Sequence, residues 1–142
     1  MKESTLKRFI DAQEGSYTIA LSEIKSGRKQ SHWMWYIFPQ IKGLGFSETS
    51  IYYAIKDIEE AEAFLKHPVL GSRLIEISEE LMKLQSNNAH QILGSPDDIK
   101  LHSSMTLFSS VPGASPVFEE VLRKFFNGKK DNKTLQILGD KV

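Results

Sequence analysis

Residues 68–84 of the chain read PVLGSRLIEISEELMKL, and this stretch decides the fold class. Its apolar residues recur at alternating steps of four and three: Leu70, Leu74, Ile77, Leu81 and Leu84. Because that spacing lines one face of an α-helix, the stretch predicts an amphipathic helix whose apolar stripe lies on a protein core. Pro68 suits the first helical turn, where a missing N–H costs no hydrogen bond.

Helical spacing recurs on both sides of this stretch, with apolar stripes in residues 6–10, 17–24, 101–108 and 118–125. Short polar side chains stand where several helices should begin, and they predict N-caps at Ser47, Asp57 and Asp131. Glu60, three residues after Asp57, predicts a capping box at that start. Ser-Pro pairs at 95–96 and 115–116 predict two further helix starts.

These patterns predict an all-α fold, a single compact bundle of seven to nine short helices with crossed packing. The alternating apolar pattern of half-buried strands is absent. A length of 142 residues is close to the common size of one domain, so one helical domain is predicted to span residues 1–142.

The composition excludes several kinds of chemistry. The chain has no cysteine, which excludes a disulfide framework, a thiolate metal site and a cysteine nucleophile. Its four histidines lack metal-ligand spacing, so neither a metal nor a cofactor is predicted. No stretch approaches the roughly 18 apolar residues of a membrane span, and the first ten residues lack the apolar run of a signal peptide. The sequence therefore predicts a cytoplasmic protein without a membrane segment.

The formal net charge is zero, which gives no bulk attraction to nucleic acid or to an anionic membrane. Basic residues are nevertheless concentrated between positions 23 and 42: Lys25, Arg28, Lys29 and Lys42. This concentration permits a nucleic-acid-binding hypothesis, which the zero net charge and the absence of a known binding motif disfavour. A solvated surface is the simpler interpretation of these residues.

The segment 29–50, KQSHWMWYIFPQIKGLGFSETS, contains both tryptophans of the chain. Residues 31–38 are apolar almost all round, a pattern that fits a buried strand as well as a buried helix. We favour a short helix that is capped by Ser31 and ended by Pro39, because the neighbouring segments are helical. Residues 40–46 predict a loop, in which two glycines supply backbone freedom.

This segment is the first candidate binding site. Trp33 and Tyr36 could stack on a planar ligand, and His32 and Gln40 could supply polar recognition or proton transfer. The alternative is that these aromatic side chains form a buried central helix and contribute only to the core.

The loop that follows could hold the anionic part of such a ligand. Amides between Gly43, Gly45 and Ser47 lead into a helix N-terminus, and such groups can hold a phosphate or carboxylate. Lys42 or Lys29 would add positive charge. The alternative is a tight turn, for which the glycines alone are sufficient.

A second candidate site lies in residues 97–106, DDIKLHSSMT. Asp98 and His102 are four residues apart, so on a helix they share a face, and Asp98 could orient the imidazole for proton transfer. The nearby hydroxyls could donate hydrogen bonds to a ligand. The alternative is that the acids complement the helix dipole and that the hydroxyls bond to their own backbone.

Four sequence motifs, later called the four sequence words, occur in order along the chain: HWMWYIFPQIKGLG (32–45), HPVLGSRL (67–74), DDIKLHSSMTLF (97–108) and FFNGKKDNKTL (125–135). Together they closely resemble an uncharacterised bacterial family of mostly helical domains, one of the domain-of-unknown-function families. The resemblance implies an all-α fold and brings no catalytic residues with it. Members of this family are sometimes labelled calpastatin, and that label conflicts with the sequence. Calpastatin-type inhibitors are disordered and poor in aromatics, whereas aromatic residues make up 10% of this chain.

Two functions therefore compete. The first is the binding or processing of a small, planar, anionic ligand, such as a nucleotide or an ADP-ribose-like molecule, between residues 32–47 and residues 98–106. The second is a protein-interaction module without catalytic activity, in which the aromatic segment forms the surface for a partner or a second copy.

Overall fold

The computed structural model describes the backbone of residues 2–140 and the side chains of residues 6–139. Over this range the chain forms ten α-helices, and its β-structure is one isolated parallel bridge between Ile41 and Ile55. The predicted all-α fold is confirmed. The helices are α1 (Lys2–Gln13), α2 (Tyr17–Lys25), α3 (Met34–Ile37), α4 (Glu48–Tyr52), α5 (Ile58–Lys66), α6 (Leu70–Lys83), α7 (Ala89–Leu93), α8 (Asp97–Ser109), α9 (Val117–Phe126) and α10 (Asn132–Asp140).

The ten helices exceed the expected seven to nine, and three of them are shorter than two turns. The helix α3 has four residues, and α4 and α7 have five each. The helix expected to begin at Ser31 begins at Met34 instead, so the predicted Ser31 cap is wrong. The physical reason is that both the hydroxyl and the N–H of Ser31 bind the carboxylate of Glu23 in α2.

The helix α6 is the amphipathic helix that residues 68–84 predict. Four residues of its stripe are buried: Leu70, Leu74, Ile77 and Leu81. It packs against α2, α5 and α9. At Gly71 it approaches α5 so closely that an added Cβ would lie 2.0 Å from the carbonyl oxygen of Leu65. This close crossing requires glycine because any side chain would displace the backbone of α5.

The C-terminal end of α6 is joined to α9 by one lysine. The ammonium of Lys124 donates hydrogen bonds to the carbonyls of Leu81 (3.1 Å), Met82 (3.0 Å) and Leu84. Leu81 and Met82 lie in the last turn of α6 and Leu84 follows it, where carbonyls lack the N–H partner four residues later that the helix interior provides. Burial lowers the pKa of Lys124 below its usual value.

The helix α8 runs through the middle of the bundle and packs against α5, α7, α9 and α10. Its predicted stripe is buried: Leu101, Met105 and Phe108. Three of its polar residues are buried as well, Ser103, Ser104 and Thr106, and Thr106 donates its hydroxyl to the carbonyl of His102 at 2.8 Å. A helix that is buried on several sides cannot show a clean amphipathic pattern, and this explains why the prediction described only one face of α8.

The predicted N-caps at Ser47, Asp57 and Asp131 are confirmed. Each side chain accepts the N–H of the residue three positions later, at distances of 3.1, 2.9 and 3.2 Å respectively. The capping box at Asp57 is incomplete, because the carboxylate of Glu60 accepts the N–H of Lys56 and the guanidinium of Arg8. Within the described residues, no helix is long and apolar enough to cross a bilayer.

Candidate functional site

A cavity of about 500 Å³ opens between the segment that joins α2 to α3 and the start of α8. We call it the lysine cleft. Its polar and aromatic lining comprises Lys29, Gln30, His32, Trp35, Ser95, Asp97 and Lys100. The two walls are joined at the base, where the backbone N–H of Lys29 donates to the carbonyl of Ile92 in α7 at 2.7 Å.

Two lysines in the cleft share one carboxylate. The Lys29 ammonium, whose side chain is 7% exposed, lies 2.8 Å from Asp97 Oδ2 and also donates to the carbonyl of Ser31. The Lys100 ammonium lies 3.7 Å from Asp97 Oδ1, which is longer than a hydrogen bond. Lys100 is one helical turn after Asp97, so both side chains project from the same face of α8. These three side chains together carry one net positive charge.

Trp35 forms the aromatic wall of the cleft. The ammonium of Lys100 lies 4.7 Å from the centre of its ring, within the range of a cation–π contact. Trp35 is only partly buried, so part of the indole faces the cavity. His32 is exposed on the same side, and its imidazole can reach a molecule in the cleft.

The wall that carries His32 is fixed from behind by Glu23. The Glu23 carboxylate accepts the N–H groups of Gln30 (2.9 Å) and Ser31 (3.0 Å), the Ser31 hydroxyl (2.6 Å) and the indole N–H of Trp33 (2.9 Å). Partial burial by itself raises the pKa of Glu23, but these donated hydrogen bonds outweigh it and lower the pKa to about 2. The carboxylate is therefore charged at any ordinary pH, and it holds residues 30–33 in place.

Trp33 does not line the lysine cleft. It is 1% exposed, and its ring packs in the core 6.3 Å from the ring of Phe38. A stacking role for Trp33 is inconsistent with this burial, and the structure presents Trp35 in its place. The reason is the irregular segment before α3, which turns the two tryptophans towards different surroundings.

Tyr36 also points away from the cleft. Its hydroxyl lies 3.3 Å from the Ser16 hydroxyl, and its ring centre lies 5.3 Å from that of Tyr53. Its backbone carbonyl accepts the side-chain N–H of Gln13. These contacts connect α3 to the N-terminal helices, and they place Tyr36 on a different side of α3 from the cleft.

The loop of residues 40–46, which contains Gly43 and Gly45, follows Trp35 in the chain. Gln40 and Gly45 line a second cavity of about 10 Å³, which also borders Trp35, and that volume accommodates about one water molecule. Gly43 packs towards α10, where an added Cβ would lie 3.2 Å from Ile137. The hydroxyl of Ser47 is used to cap α4, and Lys42 is exposed. The predicted phosphate contacts of this loop are therefore separated from the lysine cleft.

Asp98 and His102 are not paired, contrary to the prediction. The Asp98 carboxylate lies 3.5 Å from His90 Nδ1 in α7. His102 lies 2.8 Å from the carbonyl of Lys129 and stacks on Phe126, with ring centres 4.3 Å apart. Consecutive turns of α8 thus contact different neighbours, and the two side chains are drawn apart.

The sequence interpretation assigned no role to Trp35, Asp97 or Lys100, although all three lie in the two candidate segments. Asp97 and Lys100 carried a usable signal, since opposite charges three residues apart share a helix face. Trp35 carried none, because the run 31–38 gives no period that would separate its buried from its exposed side chains. Within the described residues, no group of three or more His, Asp or Glu side chains could hold a metal ion.

Comparison with known proteins shows which family the chain belongs to. A family model described as "Protein of unknown function (DUF1810)" matches residues 3–138. The crystal structure of the conserved hypothetical protein Rv1873 from Mycobacterium tuberculosis is similar, with a TM-score of 0.92 and 42% sequence identity over 94% of this chain and 96% of that chain. No curated protein matches the chain significantly. The resemblance that the four sequence words carry is confirmed: the chain belongs to the DUF1810 family of proteins of unknown function.

Proposed function

We propose that the chain binds a small, planar, anionic ligand of the nucleotide or ADP-ribose type in the lysine cleft. The observation that carries the proposal is the meeting of two lysines and a partly exposed indole in one cavity of about 500 Å³. That volume lies within the roughly 300–1,000 Å³ range of small-molecule sites. A few converging polar groups beside an aromatic wall are typical of such sites.

The charge of the cleft favours an anion. Two ammonium groups face one carboxylate, and the side chains of Lys29 and Asp97 are 7% and 18% exposed. Charges that are largely removed from water interact more strongly with a ligand than charges on an open surface. Lys100 makes no hydrogen bond at its 3.7 Å distance from Asp97, so its N–H groups remain available to a ligand.

Trp35 gives the cleft a surface for a planar ring. Stacking of a base on an aromatic side chain contributes about 1–3 kcal/mol. His32 lies at the same cavity and is the imidazole that could hydrogen-bond to a bound ligand or exchange a proton with it. Trp35 thus takes the stacking role that the sequence suggested for Trp33.

The test is a titration of the purified protein with ADP-ribose and AMP, followed by calorimetry. A ligand at 100 times its dissociation constant should also stabilise the fold by roughly 2.7 kcal/mol, which raises the melting temperature by several degrees. Lys100→Gln should weaken binding about tenfold, because it removes the more available ammonium. Trp35→Leu should weaken it by a similar factor through lost stacking.

Lys129→Gln is the matched control, since Lys129 is an exposed lysine outside the cleft. Its affinity should equal that of the unaltered protein. Equal affinity in folded Lys100→Gln and Trp35→Leu variants would exclude the cleft as the binding site.

A second function, self-association, is favoured by a separate observation. The helix α4 buries none of its residues, and three large apolar side chains in and beside it are exposed: Phe46 (85%), Ile51 (54%) and Tyr52 (59%). Contiguous exposed apolar surface is typical of protein interfaces. This apolar surface, residues 46–52, overlaps the C-terminal end of the aromatic segment 29–50. Half of the residues in the run 31–38 are buried, so that run offers less surface to a partner.

Sedimentation velocity over a range of concentrations tests self-association. Phe46→Ser should shift a monomer–dimer equilibrium towards monomer, whereas Ile19→Ser, at an exposed position of α2, should not. A monomer at every concentration would leave ligand binding as the function to pursue.

Nucleic-acid binding receives no support from Lys29, since its ammonium is held by Asp97.

A further inference from the structure

We infer that Asp97 sets the ligand selectivity of the lysine cleft, so that the cleft takes a phosphoryl dianion in preference to a carboxylate. This inference rests on the proposed function and narrows the anionic part of its ligand to a phosphate monoester, as in AMP, since each phosphoryl group of ADP-ribose carries only one charge. Asp97 acts as an internal counter-ion, which lowers the attraction of the cleft for every anion and leaves enough attraction only for a doubly charged one.

Asp97 contacts the two lysines at different distances. Its Oδ2 is hydrogen-bonded to Lys29 at 2.8 Å, whereas its Oδ1 is 3.7 Å from Lys100. A ligand can therefore bind the ammonium of Lys100 without breaking the ion pair between Asp97 and Lys29. Lys29 also has a third N–H beyond those used by Asp97 and the Ser31 carbonyl.

The charges of the lining side chains explain the selectivity. Lys29, Asp97 and Lys100 leave a net charge of plus one, and the Coulomb energy of a bound anion scales with the product of charges. A monoanion gains little from a single net charge, and it loses its own hydration on entering the cleft. A dianion gains twice as much from the same cleft.

Phenyl phosphate and benzoate are suitable probes, because they present the same ring with different charges. At pH 8 the phosphate monoester is a dianion, since its second pKa is about 6, and benzoate is a monoanion. Calorimetry on the unaltered protein should give at least about tenfold tighter binding of phenyl phosphate, or about 1.4 kcal/mol. Asp97→Asn keeps an oxygen for Lys29 and raises the net charge to plus two. It should therefore bind benzoate about as tightly as the unaltered protein binds phenyl phosphate.

Asp98→Asn is the matched control, because Asp98 is the adjacent acid and pairs with His90 outside the cleft. It should leave both affinities unchanged. Lys100→Gln retains the ion pair between Lys29 and Asp97 and brings the net charge to zero. It should abolish the preference for phenyl phosphate, and this result does not depend on the folding of Asp97→Asn.

The outcomes separate the inference from the function on which it rests. Binding of neither probe to any variant would overturn both. Equal binding of the two probes by the unaltered protein, or weaker benzoate binding by a folded Asp97→Asn variant, would overturn the inference and leave ligand binding in the cleft intact. Helical content by circular dichroism shows which variants are folded.

Discussion

The indole N–H of Trp33 donates a 2.9 Å hydrogen bond to the carboxylate of Glu23, ten residues earlier in the chain. The same carboxylate also receives the N–H and the hydroxyl of Ser31. A single acid in α2 therefore fixes the approach to α3, buries one tryptophan and leaves Trp35 at the lysine cleft. The aromatic wall of the cleft depends on this acid, although Glu23 does not line the cavity.

Glu23→Gln should destabilise the fold by about 2 kcal/mol. The amide retains one oxygen for the donors, but the hydrogen bonds lose their charge assistance, and hydrogen bonds to charged groups contribute about 1.5–3 kcal/mol. Urea denaturation at pH 7 measures the difference. Glu14→Gln serves as the control because Glu14 is exposed in the turn after α1, and its midpoint should not move.

The same acid should make stability depend on pH in a defined window. Folding lowers the pKa of Glu23 from 4.5 to about 2, so between these values the unfolded chain binds more protons than the folded chain. The stabilisation by Glu23 is complete above about pH 4.5 and is lost as the pH falls towards 2. The free energies of unfolding of the unaltered protein and of Glu23→Gln should therefore converge over this range. A constant difference between pH 6 and pH 3 would contradict the assignment.

Arg8 should be among the costliest positions to replace. Its guanidinium donates to the carbonyls of Tyr52 and Ala54, each at 2.8 Å, and pairs with Glu60, whose side chain is 7% exposed. Arg8→Met leaves that carboxylate without its cation, and breaking a buried pair costs about 3–5 kcal/mol. Thermal unfolding measures the loss. Lys7→Gln removes the exposed pair with Asp11 and should leave the melting temperature unchanged.

Gly71→Ala should also be strongly destabilising. The new methyl group would lie 2.0 Å from the carbonyl oxygen of Leu65, so α6 must move away from α5, at a cost of about 3 kcal/mol. Gly139→Ala is the matched control, because an added Cβ there meets nothing within 4 Å. In the helix α10 this change should stabilise by up to about 1 kcal/mol. Unchanged or increased stability of Gly71→Ala would show that the two helices accommodate the methyl group, and that helix propensity, not the close crossing, governs position 71.

A helix could be predicted from the sequence where only one of its faces is buried in the core. The stripe of α6 and the caps at Ser47, Asp57 and Asp131 depend on residues within a few positions of each other, and such local signals can be read from sequence. The start of α3 could not be predicted from local signals, because it depends on hydrogen bonds to Glu23 in another helix. Hydrogen bonds between elements leave no period in the sequence.

The candidate site was predicted in outline only. The proposed meeting of residues near 32 with those near 98 matches the two walls of the lysine cleft, and Lys29 and His32 were among the candidate residues. The pairing of Asp98 with His102 was wrong, since a shared helix face does not decide which neighbour a side chain meets. Trp33 and Trp35 could not be told apart because both lie in an unbroken apolar run.

The position of Glu23 close in sequence to its partners has a kinetic consequence. Its hydrogen bonds close loops of only seven to ten residues, whereas the pair between Arg8 and Glu60 joins residues 52 positions apart. Short loops cost less chain entropy to close, so the contacts of Glu23 can form before the bundle assembles. Glu23→Gln should then slow refolding, whereas Arg8→Met should mainly accelerate unfolding. The wall of the lysine cleft would thus be among the first parts of the chain to become ordered.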